Sequence, residues 1–180
     1  AIGISLQMNA NLGAPPWDVF HQGVAKQAEI SIGKIIVMTG FMLLFLWIPL
    51  GQKPGLGTIL NALEIGLVAD VALQVIPEPK NFLIRATMVV VGIVVVAIGT
   101  GLYIGSALGP GPCDGLMTGL AKHGIPIKVG RTAIEITVLI VGFTLGGQVG
   151  VATFAFAFGV GPLVHFFLPR LAISSGNARP

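Results

Sequence analysis

The chain has 180 residues, 54% of them hydrophobic and 9% charged, with a formal net charge of +3 and a mean hydropathy of +0.92. Soluble domains carry roughly 25% charged residues, so this composition excludes an ordinary water-soluble fold and points to a bilayer as the solvent. The small basic excess forms no tract suited to nucleic acid, and the single Cys113 excludes an internal disulfide.

Crossing the hydrocarbon as helix takes about 20 mainly apolar residues. Runs near that length extend from Ile32 to Leu50, Thr58 to Ile76, Phe82 to Tyr103, Thr132 to Gly147 and Val151 to Leu168. A further span is expected at the start, where Ala1 to Asn11 matches Ile98 to Ala107 but lacks the residues upstream of it. The chain begins without Met and reads as a fragment that has lost part of this first helix, with no signal peptide in what remains. Pro77-Glu78-Pro79-Lys80-Asn81 is too short for a flexible linker and marks a seam between residues 1–78 and 79–172. Residues 173–180 form a polar tail, expected to be loose.

The two segments are copies. Asn11-Leu12-Gly13-Ala14-Pro15-Pro16-Trp17-Asp18 returns as Ala107-Leu108-Gly109-Pro110-Gly111-Pro112-Cys113-Asp114. Gly33-Lys34 likewise answers to Gly130-Arg131, and Gly55 and Thr58 to Gly150 and Thr153. In a strongly apolar chain such duplication is a mark of transporters, which place a working site between two repeats.

Topology turns on two short segments, Pro16 to Glu29 and Pro112 to Gly124, each opening with Pro near an acid, as helix starts do. As helix each reaches only about 20 Å, short of the roughly 30 Å core. If they dip in and return, the repeats are antiparallel and the bases divide without bias. Lys26, Lys34, Lys80 and Arg85 then oppose Lys53, Lys122, Lys128, Arg131, Arg170 and Arg179. If the extended Gly/Pro stretch and the short helix together complete a crossing, the repeats are parallel and every base except Lys53 falls on one side. The positive-inside tendency favours this second arrangement.

Five stretches together carry a family resemblance: Ala10 to Asp18, Ser31-Ile32-Gly33-Lys34, Pro54-Gly55-Leu56-Gly57-Thr58, Gly99 to Gly105, and Gly111 to Met117. Over nearly its whole length the chain resembles the bacterial YczE/YyaS/YitT family of integral membrane proteins, in the YczE-like branch that lacks a soluble C-terminal domain. The resemblance implies a multi-pass protein of the bacterial inner membrane and supplies no substrate. Family members often have a basic residue where Cys113 stands, so no role requiring positive charge there is carried over.

Asp18 and Asp114 are equivalent by repeat and read either as caps of their short helices or as intramembrane acids that bind a cation or carry protons. Glu64, with Asn61 one turn earlier on the same face, is an acid at mid-span that needs a partner, a proton or a wet cavity. His21 lies one turn beyond Asp18. Arg131 and Glu135 have the spacing of an intrahelical ion pair. Asp70, His165 and His123 read as interfacial, and Trp17, Trp47 and Tyr103 as interface anchors. The GxxxG spacings of Gly101/Gly105, Gly105/Gly109 and Gly115/Gly119 read as helix packing. No metal cluster, cofactor loop or catalytic set is apparent, and an enzyme is not expected.

The sequence therefore predicts an all-α polytopic membrane protein, each repeat holding three long transmembrane helices and one short broken crossing. The leading function is a permease for a small solute or ion, with a path between the repeats lined by Gly13, Gly109, Gly111, Asp18, Asp114 and His21 and faced by Glu64 and Asn61. The alternative is a non-transporting membrane helper that stabilises or regulates a partner protein. The lipid bilayer is an expected partner, nucleic acid is not, and a homo-oligomer is left open.

Overall fold

Hydrocarbon offers backbone N–H and C=O groups no partners, so an apolar chain must satisfy them within itself. The computed structural model describes residues 1–106 and 108–171. These form eight helices and no strand: α1 (Ile2–Asn9), α2 (Pro16–Ala28), α3 (Ile32–Trp47), α4 (Leu56–Val75), α5 (Phe82–Gly105), α6 (Pro112–Lys122), α7 (Ile127–Thr144) and α8 (Val151–Leu171). The expected polar tail at 173–180, and Arg179 within it, lie outside the described residues.

Helices α4, α5 and α8, with 20, 24 and 21 residues, are each long and apolar enough to cross a membrane. Large apolar side chains point outward along all three, among them Leu67, Val90 and Phe158, a surface that only lipid solvates well. Two of the expected spans are less clear: α3 has 16 residues, and the 18 of α7 include Lys128, Arg131 and Glu135. Helix α3 passes the same test only together with α2, from which it is bent by 113°.

Hydrogen bonds sort the helix ends into two groups. At one end of the bundle, Asn9 Nδ2 at the close of α1 donates to the carbonyls of Leu73 and Ile76 at the close of α4, at 3.1 and 2.7 Å. Arg85, in the first turns of α5, donates to the carbonyls of Ala10 and Asn11. The amide of Ala152, opening α8, donates to Leu12 O at 2.9 Å. Helix α2 ends here too, where Gln27 Nε2 donates to Leu145 O just past α7 at 3.1 Å. At the other end, the amide of Gly57, opening α4, donates to Leu108 O just past α5 at 3.0 Å. Lys122 Nζ, closing α6, donates to Gln52 Oε1 beyond α3 at 3.1 Å.

It follows that α3 and α7 run in opposite directions, and each short helix returns to the end from which its preceding loop entered. This overturns the parallel arrangement in which α2 and α6 finish a crossing; the dip-and-return alternative is the one these contacts describe. Charge placement misled because the positive-inside tendency is a bias over loops. Here Lys26 and Lys122, at the ends of two inward-dipping helices, are carried to opposite ends of the bundle.

The two dips are built alike. Gly13 and Gly109 have φ of +106° and +114°, values that glycine adopts without a Cβ clash. A Cβ on Gly13 would meet the amide N of Gly150 at 2.5 Å, and one on Gly109 would meet Thr58 Oγ1 at 2.9 Å. Close approach recurs between helices. A Cβ on Gly33 or on Gly66 would collide with the other's carbonyl, which brings α3 against α4, and Gly3 and Gly92 do the same for α1 and α5.

Two residues read as interfacial have other duties. Trp47 is 1% exposed, fills the space a side chain at Gly115 would take, and donates from Nε1 to Pro112 O at 3.0 Å. It is a core plug holding the start of α6 against α3. Asp70 on α4 accepts from Ser31 Oγ and from the Gly33 amide, both at 2.7 Å, and so caps α3 from a neighbouring helix.

In a Cys113→Ser background, Lys26→Cys and Lys122→Cys are expected to react with a membrane-impermeant maleimide from opposite sides of the membrane; labelling from one side would restore the parallel arrangement. Asp70→Ala is expected to cost about 1 kcal/mol, the usual effect of losing a helix N-terminal cap, read as a lower unfolding midpoint in detergent.

Candidate functional site

Helices α2 and α6 both have proline at their first position, after Pro15 and Gly111 in extended conformation. Proline there has no amide left without a partner and its φ suits the helix. In α2 the residues Pro16, Asp18, Val19, His21, Gly23 and Ala25 are buried, while 26–30 are all exposed. Each short helix thus begins inside and ends at the surface, so its N-terminal turn faces the interior of the bundle.

Between these turns lies a cavity of about 220 Å³. Helix α2 contributes Trp17, Asp18 and His21 to its wall, and α6 contributes Cys113 and Asp114. Asn61 of α4 and the pair Arg131 and Glu135 of α7 complete its polar lining, with Thr39 of α3 beside them. A second cavity, of about 490 Å³, lies beside Ala1 and Ile2 at the start of the sequence and is lined also by Asn61, Glu64, Tyr103, Gly111 and Asp114. A third, of about 430 Å³, is lined by Gly109, Asp114, Thr118 and Arg131. Asp114 belongs to all three walls, and Asn61 joins the first to the second.

Asp18 is 4% exposed, and its Oδ1 lies 3.4 Å from His21 Nδ1. Facing a carboxylate, which only accepts, the ring donates from Nδ1, and a neutral ring then has its lone pair on Nε2. That Nε2 is buried with no hydrogen-bond partner, as are Trp17 Nε1 and Tyr103 Oη. Among the described hydrogen bonds, neither Asp18 nor Asp114 accepts from a first-turn amide of its own helix. The two carboxylates therefore sit near the positive ends of the helix dipoles without spending their lone pairs on caps.

The residues singled out from sequence separate into two groups. Asp18, His21, Asp114 and Asn61 come together on one cavity. Arg131 Nε lies 2.9 Å from Glu135 Oε1, and this pair, expected to be purely structural, also faces that cavity. Glu64 is exposed on the wall of the larger cavity, outside the 220 Å³ space. Gly111 leaves room for polar groups, since a Cβ there would stand 3.0 Å from Tyr103 Oη and 3.4 Å from both Asn61 Oδ1 and Asp114 Oδ2. Gly13 lines none of these three cavities and serves the turn that docks on α8. Trp17 and Tyr103, expected at the headgroups, are lining residues. Thr39 was missed, although a hydroxyl in the middle of an apolar run is the kind of signal that marks such a wall. Among the described residues, no group of three His, Cys, Asp or Glu side chains is placed to hold a metal ion.

Apolar helices with outward lipid-facing surfaces, enclosing cavities that carry a few polar side chains, define a helical membrane protein in contact with the bilayer. The chain belongs to DUF6198, a family of unknown function, whose model matches residues 1–169. It is 37% identical over 172 residues to an uncharacterized protein of Haemophilus influenzae, covering 95% of this chain and 79% of that one. It is also similar to the uncharacterized membrane protein YczE of Bacillus subtilis, at 28% identity over 173 residues, 94% of this chain and 80% of the relative. The uncharacterized protein YyaS of the same organism is 26% identical over 176 residues, 94% of this chain and 87% of the relative. These matches agree with the resemblance read from the motifs. No solved structure matches the chain.

Glu64→Cys in a Cys113→Ser background is expected to react with a water-soluble thiol reagent, whereas Ala62→Cys, at a position 3% exposed, is expected to stay unreacted. Equal protection of both would show the larger cavity to be closed to water.

Proposed function

We propose that the protein is a permease for a small solute or ion in the bacterial inner membrane, built from two inverted copies of one unit, residues 1–78 and 79–172. The carrying observation is the gathering of Asp18 and His21 from the first copy with Asp114, Arg131 and Glu135 from the second around one cavity. Non-helical backbone at membrane depth is tolerated where it is buried in protein or lines a wet cavity, and two interrupted segments at matching places are the usual seat of a transport site.

The inverted-copy reading rests on reciprocal contacts. Leu12 O of the first copy accepts from Ala152 N of the second, and Leu108 O of the second accepts from Gly57 N of the first. The receiving turns match as well: Gly55 N donates to Thr58 Oγ1 at 3.1 Å and Gly150 N to Thr153 Oγ1 at 3.2 Å. Chains built this way work by rocking one unit against the other around a fixed midplane site.

The polar side chains gathered on the shared cavity support this reading over the membrane helper, which needs no polar path. The test is solute flux in proteoliposomes, followed by stopped-flow light scattering under gradients of methylammonium chloride, glycerol or sodium formate. The intact protein is expected to accelerate at least one of these over empty liposomes, and Gly111→Leu, which fills the polar space, to abolish the gain. Flux indistinguishable from empty liposomes for all three would leave the helper role.

A further inference from the structure

From the chemistry of the shared cavity we infer that its ligand is a small monovalent organic ammonium ion; this rests on the permease reading and deepens it. The charges decide the sign. Two helix N-termini bring about half a positive charge each, Arg131 and Glu135 pair with each other, and the Asp18 and Asp114 carboxyls bring two negative charges when a bound cation holds both as carboxylates. About one net negative charge is left to be matched, so a monovalent cation completes the site and an anion is repelled.

The lining decides the kind of cation. Hard metal ions such as calcium take six to eight oxygen ligands in one shell, and this wall sets its carboxyl groups among Ile36, Leu43, Met117, Phe156 and the Trp17 ring. An ammonium group on an apolar body uses both kinds of surface. Its N–H groups meet the carboxyl groups of Asp18 and Asp114 and its body lies on the apolar wall.

His21 is the independent sign that a donor belongs here. It is 6% exposed and lines the cavity, its Nδ1 is directed to Asp18, and its Nε2 is buried with no hydrogen-bond partner. A buried acceptor left empty carries the full desolvation penalty, and a ligand N–H removes it. The unpartnered Trp17 Nε1–H adds a donor for ligands that also carry an oxygen.

Isothermal titration of the purified chain in detergent with benzylammonium, benzyl alcohol and benzoate keeps the ring constant and varies the charge. Saturable binding of benzylammonium alone is expected, weakened about tenfold or more in Asp18→Asn and in Asp114→Asn, each checked for folding by its unfolding midpoint. Equal or tighter binding of benzyl alcohol or benzoate by the unmutated protein would overturn the inference, as would no binding of any of the three; neither result depends on a variant folding. A chain that binds benzylammonium but accelerates no flux keeps the ammonium site and loses the permease. A chain that moves formate or glycerol but binds no benzylammonium keeps the permease and loses the ammonium site.

Discussion

The whole arrangement depends on where the non-helical backbone before α2 and α6 finds its hydrogen bonds. In an apolar solvent a free carbonyl at Leu12 or Leu108 is costly. Each loop is docked on the opening turn of a long helix from the other half of the chain, at Ala152 and Gly57. The glycines at 13 and 109 make the approach close enough. Separating the halves would expose these groups, so packing of the halves and formation of the dips are a single event.

That docking has a consequence for charge. Because each loop is held at one end of the bundle, the short helix after it starts inside and points outward, and two positive helix ends converge on a space from opposite directions. Positive ends facing one another need compensation, and the first turns supply it with Asp18 and Asp114. The acids are thus placed by the same constraint that places the helices, and the polarity of the cavity follows from backbone geometry before any ligand is considered. Trp47 makes the placement of α6 firm, by filling the space above Gly115 and binding Pro112 O.

Much of the site was visible in the residues. Asp18, Asp114, His21 and Asn61 stand out as polar groups in apolar surroundings, and the first two are paired by the duplication. Glu64 stood out for the same reason but lies on a different wall, since a mid-span acid says only that it needs a polar neighbour and not which one. Trp17, Trp47 and Tyr103 were misplaced because an aromatic near a span end looks the same in sequence whether it faces headgroups or a groove of glycines. Arg131 and Glu135 have a spacing that fixes their mutual contact, but the cavity they also face is formed by helices distant in the chain.

Composition and the lengths of the apolar runs determined that the chain is helical and lives in lipid, and the echo between residues 11–18 and 107–114 drew attention to the two short helices. These are local or additive properties, readable because each residue contributes to them independently. The direction in which the halves oppose one another was decided only in three dimensions. It depends on whether Leu12 and Leu108 are held at the end they came from, a contact between residues far apart in the chain that no local pattern encodes. The tally of lysines and arginines could not substitute for that contact, since Lys26 and Lys122 end up at opposite ends of the bundle.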